Sequence, residues 1–439
     1  MARYKYSDVE AGQGLFLTIK LKEQLLPGTF EYMLDDLIGS KIDISDFDTN
    51  YKNDVTGATA ISPAVLIKLI IYAYLKGILS SRKIDEFAKT NIIAKALTGD
   101  MEPHWTTIAA FISSNSIRFR EVFEEVLLYC NELDLIGGEM FAVDGLRLPS
   151  NASIEMSGTE EELKKKLDVY RRMAEKHIAK HSKEDGQAER GKETERRYQE
   201  RQKQLHQKIE NISNFLTTMK KKEGKHVEEI KSNVTDNESA MIFDSGTYIQ
   251  GYIGIAVVDK ENQIIVNAEA FGSANEGEHL PKILDKTLET LEKTGIEEPE
   301  NRKRTFMADA NYFSEDNFKA CEDRGVEAII PDSQYNRRLG ENNERRFEAA
   351  DFTYHAEGDC LICPNGKELP FKRIGTLGGY EGKSYQASVK DCRPCPLNAR
   401  CIRTKKDISK WDRGRQIFIT GSNEPNSLCG AMRQKLATE

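Results

Sequence analysis

The stretch Met140–Gly145 reads MFAVDG and decides the fold, because it is a short apolar run that ends in an acid and a glycine. Such a run is typical of a buried strand whose end reaches a surface site. A second stretch, Thr305–Asp309, reads TFMAD and has the same form. We therefore predict two short strands, which deliver Asp144 and Asp309 at their carboxyl ends.

Further strand and helix patterns surround these two segments. A polar turn at Lys260–Gln263 joins two apolar runs, which we predict to pair as a hairpin. The predicted elements are strands at Gly251–Val258 and Gln263–Phe271, a helix carrying Leu280 to Leu291, a helix at Ser314–Arg324 and a strand at Ala328–Pro331. Together with the two aspartate-bearing strands, this order predicts a mixed α/β sheet.

A long charged segment separates the first strand from this hairpin. Apolar residues recur at helical spacing from Leu163 to Met173 and again from Tyr198 to Met219, with the polar segment Ser182–Gly191 between them. We predict an antiparallel helical hairpin over residues 158–230, inserted between strands. It would serve as a spacer or as a dimerisation arm.

The region before the first strand has the pattern of helices. Ser62 and Pro63 form an N-cap and a first-turn proline, and further helices are predicted near Ser80, after Trp105 and through Phe119–Leu127. Several short helices can be a packing module, and they are also how domains that recognise DNA ends are built. The sequence leaves both alternatives open.

Composition limits the classes of protein. The chain has 439 residues, enough for two to four domains, and a formal net charge of −8. This charge argues against a uniformly basic nucleic-acid binder, although local basic patches can still contact phosphates. The patches are Lys220–Lys225, Arg302–Arg304, Arg337 with Arg338, and Arg400–Arg415. No run of about 20 apolar residues and no signal-peptide core occurs, so we expect a cytoplasmic protein without membrane contact.

The two aspartates suit phosphoryl-transfer chemistry if their strands lie side by side. Carboxylate oxygens are the ligands that Mg²⁺ and Mn²⁺ prefer. Two such ions about 3.5–4 Å apart activate an attacking oxygen and stabilise the leaving oxygen at phosphorus. A third acid normally completes such a site. Aspartates are also common in turns and helix caps, so a purely structural role for both is the alternative.

Five of the eight cysteines fall within a short span, and two pairs have C-x₂-C spacing. In a cytosolic chain this pattern indicates metal binding before disulfides. The predicted ligands of a structural zinc ion are Cys360, Cys363, Cys392 and Cys395. Cys401 and His355 are further candidates, so the ligand set stays open. Reduced thiols in a loop, or a redox pair, are the alternatives.

Several segments, in order along the chain, are similar to one family. The chain resembles the DDE transposases of bacterial insertion sequences. The segments that carry the resemblance are Ile61–Ile84, Trp105–Phe111, Phe141–Gly145, Ser232–Asp236 with Gln250–Tyr252, Met307–Ser314 and Ile329–Asp332. The family often carries a cysteine-rich insertion as well, with a start similar to the CPNGK sequence at Cys363–Lys367.

The resemblance implies a ribonuclease-H-like catalytic domain in which Asp144 and Asp309 bind Mg²⁺ or Mn²⁺. It also implies an enzyme that binds the terminal inverted repeats of its element, cleaves the DNA and transfers strands to target DNA as a homo-oligomer. The expected domains are an N-terminal helical, DNA-binding domain at 1–135, the catalytic domain at 136–350, a zinc-ribbon-like cysteine-rich insertion at 351–415 and a remainder of the catalytic domain at 416–439.

The chain departs from the family pattern at the third acid. The family has a glutamate on a helix after the cysteine-rich insertion, and neither Glu424 nor Glu439 matches it. We therefore expect a C-terminally truncated chain whose own catalysis is in doubt. The alternative functions are a non-catalytic DNA-binding or regulatory remnant of a transposase, and a metal-dependent nuclease that does not transpose.

Overall fold

A computed structural model of the chain describes residues 19–51, 59–184, 192–219, 221–223, 229–336, 346–377, 380–402, 412–420 and 427–438. The backbone falls into two units, Met1–Asp134 with Lys293–Gly295, and Leu135–Glu292 with Ile296–Glu439. Within the described ranges, no helix combines the length and the apolar character that a membrane crossing requires. The finer domain boundaries stay predictions.

The first unit is helical, as the sequence predicts. Its helices are α1 (Phe30–Asp36), α2 (Pro63–Leu75), α3 (Ser81–Thr90), α4 (Ile92–Thr98), α5 (Trp105–Ser114) and α6 (Ser116–Glu132). One apolar cluster, which includes Leu66, Ile84 and Ile108, joins them. The short helices α1 and α4 were not predicted, because seven residues are too few to show a helical repeat clearly.

The second unit contains all the described strands. In chain order these are β1 (Met140–Pro149), β2 (Ser157–Gly158), β3 (Lys222–Glu223), β4 (Glu229–Ile230), β5 (Ser232–Asn233), β6 (Ala240–Asp244), β7 (Thr247–Asp259), β8 (Ile265–Phe271), β9 (Thr305–Ala308), β10 (Glu327–Ile329), β11 (Thr353–His355), β12 (Cys360–Ile362), β13 (Glu368–Leu377), β14 (Tyr380–Gln386) and β15 (Gln416–Thr420). Its helices are α7 (Glu160–Glu184), α8 (Lys192–Thr218), α9 (Leu280–Lys293), α10 (Glu315–Asp323), α11 (Val389–Cys392), α12 (Asn398–Cys401) and α13 (Leu428–Thr438).

A mixed sheet forms the centre of this unit. Its order is β10-β9-β1-β7, and β6 and β8 both pair with β7. Strands β1, β9 and β10 are parallel, whereas β7 is antiparallel to β1. The predicted order of strands and helices and the predicted β7–β8 hairpin are confirmed. This arrangement is consistent with a ribonuclease-H-like domain.

The core of the mixed sheet explains why its strands are buried. Phe141 and Val143 of β1 face inward, and the ring of Phe141 stacks on that of Phe306 of β9 with centroids 5.1 Å apart. Because successive side chains of a strand point to opposite faces, Asp144 then points away from this core. Strand alternation therefore exposes the acid that the buried strand delivers.

The segment between β1 and β7 contains α7 and α8, which pack together through a small apolar cluster that includes Leu163, Tyr170 and Ile212. The predicted helical hairpin is therefore present. The predicted inner position of Met173 is wrong, since Met173 is 50% exposed and the next residue, Ala174, is buried instead. The helical repeat turns the neighbouring position inward at this point.

The cysteine-rich segment forms a second sheet, which is antiparallel with the order β11-β12-β13-β14-β15. Its core includes Leu361, Leu369 and Tyr385. Strand β15 pairs with β14 over Gln416–Thr420, so the predicted boundary at residue 416 cuts through this sheet.

The last described helix, α13, packs against α10 near the mixed sheet. Glu315 of α10 accepts hydrogen bonds from the backbone N–H groups of Leu428 and Cys429 at 2.9 and 3.2 Å. These donors belong to the first turn of α13 and have no partner within the helix. Arg433 adds an ion pair with Asp332 at 2.7 Å.

Candidate active site

The two predicted acids lie side by side at one edge of the mixed sheet. In the parallel pairing of β1 with β9, Val143 stands opposite Ala308, and Asp144 and Asp309 are the next residue of each strand segment. Neighbouring strands are about 4.8 Å apart. The register therefore places Asp144 and Asp309 next to each other at one edge of the sheet, as predicted from the sequence.

Each aspartate is exposed and is oriented by the backbone next to it. The Gly145 N–H donates to Asp144 Oδ1 at 2.8 Å, and the Asn311 N–H donates to Asp309 Oδ1 at 2.9 Å. Asp309 thereby caps the short 3₁₀ helix Ala310–Tyr312. Within the described ranges, neither carboxylate forms an ion pair with lysine or arginine. Both therefore keep oxygen lone pairs available to a cation.

Glu276 brings a third carboxylate to the pair. It begins the 3₁₀ helix Glu276–His279 that follows β8. The Asn311 side-chain amide donates to Glu276 Oε1 at 2.5 Å and to Asp309 Oδ2 at 3.1 Å. At Gly145, beside Asp144, a Cβ atom would overlap Glu276 Oε2. Glu276 thus lies against the backbone of Gly145, at a place that only glycine leaves open, and Asn311 links it to Asp309.

Glu276 is not among the site residues predicted from the sequence. The chain has 71 acidic residues, and Glu276 follows a strand that is not adjacent to β1. The available signal was a glutamate directly after a strand, which is too common to choose one residue. Glu276 precedes Asp309 in the chain, so it is not the counterpart of the family's third acid by order.

Tyr312 lies close to Gly145, where the charges of Glu276, Asp309 and Asp144 act on it. It is fully buried, and its hydroxyl has no hydrogen-bond partner among the described residues. The hydroxyl is 3.6 Å from the position of a Cβ atom at Gly145. Burial first, and then the charges of Glu276, Asp309 and Asp144, raise the pKa of Tyr312 above its ordinary value. The hydroxyl therefore stays protonated and is an available donor under the site.

The donor chemistry of this edge fits a divalent cation. Carboxylate oxygens are hard ligands, and the exposed side chains leave room for bound water, which Mg²⁺ tends to keep. In the portion of the chain that the structure describes, no three histidine, cysteine or acidic side chains are already closed around one point as a metal site. The metal-binding roles of Asp144 and Asp309 stay predictions.

The predicted zinc ligands divide into two groups. Cys363 and Cys392 pack against the apolar core of the second sheet, and so does Cys401. Cys360 is buried but does not belong to that cluster. The other candidate, His355, is exposed on β11 opposite Cys360. The structure therefore separates Cys360 from the thiols with which it was predicted to act.

The basic patch Arg302–Arg304 has one exposed and one buried arginine. Arg302 forms an ion pair with Glu139. Arg304 is buried and donates to the carbonyl oxygens of Gly138 and Ile296 at 3.3 and 2.7 Å. Arg304 therefore stabilises the fold, whereas Arg302 stays at the surface. Lys220 and Lys225, Arg337 with Arg338, and residues 403–411 of the last patch lie outside the described residues.

Comparison with protein families gives three matches along the chain. Residues 20–114 match a transposase domain, residues 217–386 match a transposase DDE domain, and residues 362–439 match a second model of a transposase DDE domain. Neither the comparison with curated proteins nor that with solved structures gives a match. The first match covers α1 to α5, and the second covers β7, β8 and β9 with Asp309.

Proposed function

This chain belongs to the DDE transposases of insertion sequences, a family of polynucleotidyl transferases, and on that premise we propose that it binds the ends of its element and cleaves and joins DNA strands. In this proposal Asp144 and Asp309 hold divalent metal, Mg²⁺ or Mn²⁺. The observation that carries the proposal is the parallel register of β1 and β9, which sets both carboxylates at one sheet edge.

The reaction assigned to this edge is displacement at phosphorus. Bound Mg²⁺ would activate the attacking oxygen and stabilise the leaving oxygen. The task of the protein is then to hold its ligands still, since catalysis of this kind depends on positioning and charge. The Gly145 N–H fixes one oxygen of Asp144, and the backbone and side-chain N–H groups of Asn311 each hold one oxygen of Asp309.

Three neighbouring side chains support the pair. Glu276 adds negative charge beside Asp144, and Asn311 links Glu276 to Asp309. The buried hydroxyl of Tyr312 offers a hydrogen bond from below, to a carboxylate oxygen or to a water molecule. Asn311 and Tyr312 act as positioning residues in this account, whereas Glu276 is a third candidate ligand.

The helical unit is proposed to bind the terminal inverted repeats. Arg82 and Lys83 are exposed in the first turn of α3, and the guanidinium of Arg82 lies 4.7 Å from the ring centre of Trp105. Asp85 holds the start of α5 to α3 by accepting from the Trp105 N–H at 3.1 Å. An arginine fixed on an aromatic ring is preorganised for phosphate contact. Assembly as a homo-oligomer on DNA belongs to the same proposal.

The test uses purified protein and DNA that carries the ends of the element, with Mg²⁺ or Mn²⁺. We expect end cleavage and strand joining, and a loss on the order of 10²–10³-fold in either Asp144→Asn or Asp309→Asn. Asp323→Asn, a change at an exposed site on α10, is the matched control and should keep full activity. Binding of the same DNA is measured in parallel by gel shift.

The outcomes separate the candidate functions. Cleavage without joining would assign a nuclease in place of a transposase. Tight binding of the ends without cleavage would assign a non-catalytic DNA-binding protein. Cleavage that persists in both aspartate variants would overturn the proposed site.

A further inference from the structure

The second sheet separates Cys360 from Cys363, although their C-x₂-C spacing pairs them in sequence. Side chains of a strand alternate between its two faces. Leu361 of β12 is fully buried in the apolar core of the sheet, and Cys363, two positions further, packs against the same core. Cys360 immediately precedes Leu361 and therefore points to the opposite face. The two thiols do not converge.

Three other thiols approach Cys363 from the segment between β14 and β15. Cys392 is the last residue of α11, and Cys401 is the last residue of α12. The backbone turns after Cys392, so that the Cys395 N–H donates to the Cys392 carbonyl oxygen at 3.4 Å. Cys392 and Cys401 contact the same core as Cys363 of the CPNGK turn, which joins β12 to β13, and Cys395 follows Cys392 in a turn.

The electrostatic neighbourhood of each thiol agrees with this grouping. Burial first, and then the charges of Cys392, Cys363 and Cys395, raise the pKa of Cys401. Burial, followed by the charges of Cys395 and Cys363 and of Asp391, also raises the pKa of Cys392. The pKa of Cys360 is raised by burial and then by Glu368 and Asp359, with no thiol among its causes. The geometry gives the same grouping: Cys363, Cys392 and Cys401 share one apolar core, Cys395 follows Cys392 in a turn, and Cys360 is outside the group.

Backbone donors already point at two of these sulfur atoms. The Lys367 N–H donates to Cys363 Sγ at 3.3 Å, and the Arg415 N–H donates to Cys392 Sγ at 3.4 Å. Hydrogen bonds of this kind orient metal ligands and stabilise thiolate charge. Arg415 also has a buried Nε atom without a partner among the described residues, and its charge acts on Cys401. The cluster thus provides N–H donors and a cation for an anionic centre.

We propose that Cys363, Cys392, Cys395 and Cys401 bind one structural zinc ion, and that Cys360 takes no part. The four side chains close to zinc–sulfur distances of about 2.3 Å as the ion replaces their protons. Cys363 is the single ligand from the β12–β13 turn, and the other three come from one short segment. The proposal rests on the second sheet alone, so it does not depend on the DNA chemistry.

The experiment measures zinc in the purified full-length chain by plasma mass spectrometry, with sulfur as the measure of protein. We expect about one zinc per chain, falling at least tenfold in Cys401→Ala and in Cys363→Ala. Cys360→Ala is the matched control, because Cys360 is buried in the same sheet, and it should keep its zinc. A wild-type chain without zinc would overturn the proposal, and so would a Cys360→Ala variant that loses zinc while Cys401→Ala keeps it.

Cobalt substitution keeps the test decisive if a variant fails to fold. Co²⁺ added to the metal-free wild-type chain should give the intense sulfur-to-cobalt absorption and the visible bands of a tetrahedral four-thiolate site, unchanged in Cys360→Ala. A spectrum typical of a site with fewer than four thiolate ligands would overturn the proposed ligand set. Alkylation of the denatured chain without reductant should label all eight cysteines once the metal is removed, and unlabelled pairs would instead assign disulfides.

Discussion

The carboxylate edge of the mixed sheet and the thiol cluster of the second sheet are built in opposite ways. Asp144 and Asp309 are exposed and held by backbone hydrogen bonds at the ends of two paired strands. Cys363, Cys392 and Cys401 pack against an apolar core. A cation at the first site would add little to the fold, whereas a cation at the second would join a turn and two short helices to their core.

Removal of zinc is expected to give the largest effect. Chelation should release the α11–α12 segment and speed amide exchange at Ile417 and Ile419 of β15 by at least about 100-fold, because bound metal is folding free energy in such sites. Exchange in β1 and β9 should not change. Hydrogen exchange followed by mass spectrometry measures both regions in one sample. If chelation reduced the protection of both sheets equally, the zinc would not act on the second sheet alone, and the proposed difference between the two sites would be contradicted.

The Gly145→Ala variant tests the carboxylate edge, and we expect an effect of intermediate size. The new methyl group would displace the Glu276 carboxylate, the flexible end of a side chain, so we expect a change in unfolding free energy within about 1 kcal/mol. The affinity for Mn²⁺ should fall roughly tenfold, as it does when groups around a metal ligand are moved. Calorimetric titration measures the affinity, and urea unfolding measures the stability.

Gly277→Ala is the contrasting variant. Its methyl group would overlap the backbone carbonyl of Asn311, which cannot rotate away, so its unfolding free energy should fall by about 1–3 kcal/mol. If the Mn²⁺ affinity of Gly145→Ala were unchanged, Glu276 would not contribute to the metal site.

Removal of the Tyr312 hydroxyl is expected to give the smallest change in stability. A buried hydroxyl without a partner contributes little, so Tyr312→Phe should alter the free energy of unfolding by less than about 1 kcal/mol. Tyr385→Phe is the comparison from the second sheet, since the Tyr385 hydroxyl donates to Asp359 at 2.8 Å. Its loss should cost about 1.5–3 kcal/mol, as for hydrogen bonds to charged groups. Urea unfolding of both variants tests the order, and a larger cost for Tyr312→Phe would contradict it.

The aspartate pair could be predicted from the sequence because its geometry follows from the chain pattern. Carboxyl ends of parallel strands meet at one edge, and both strands show apolar runs that stop at an acid. The helices that begin at Pro63 and Trp105 likewise follow from apolar repeats, with a first-turn proline in the first of them. Local sequence patterns of this kind are sufficient for a prediction, because they do not depend on tertiary contacts.

Glu276 and the thiol grouping depend on tertiary contacts that no local pattern contains. Glu276 reaches the backbone of Gly145 only because that position has no side chain, and Asn311 links it to Asp309. The C-x₂-C spacing of Cys360 and Cys363 suggested a ligand pair, but β12 extends to Ile362, and strand alternation sends the two thiols to different faces. A C-x₂-C pair can bind one metal ion when a turn brings the two thiols together. In a strand the first thiol points to the other face, so the spacing no longer predicts a ligand pair.

Binding of Mn²⁺ to the purified chain, followed by electron paramagnetic resonance, tests the central assignment most directly. The account predicts saturable binding to the wild-type chain, weakened at least about tenfold in Asp144→Asn and in Asp309→Asn, because each removes one charged oxygen ligand. Binding should be unchanged in Asp323→Asn. If both aspartate variants bind Mn²⁺ as tightly as the wild-type chain, the two strand ends are not the metal site.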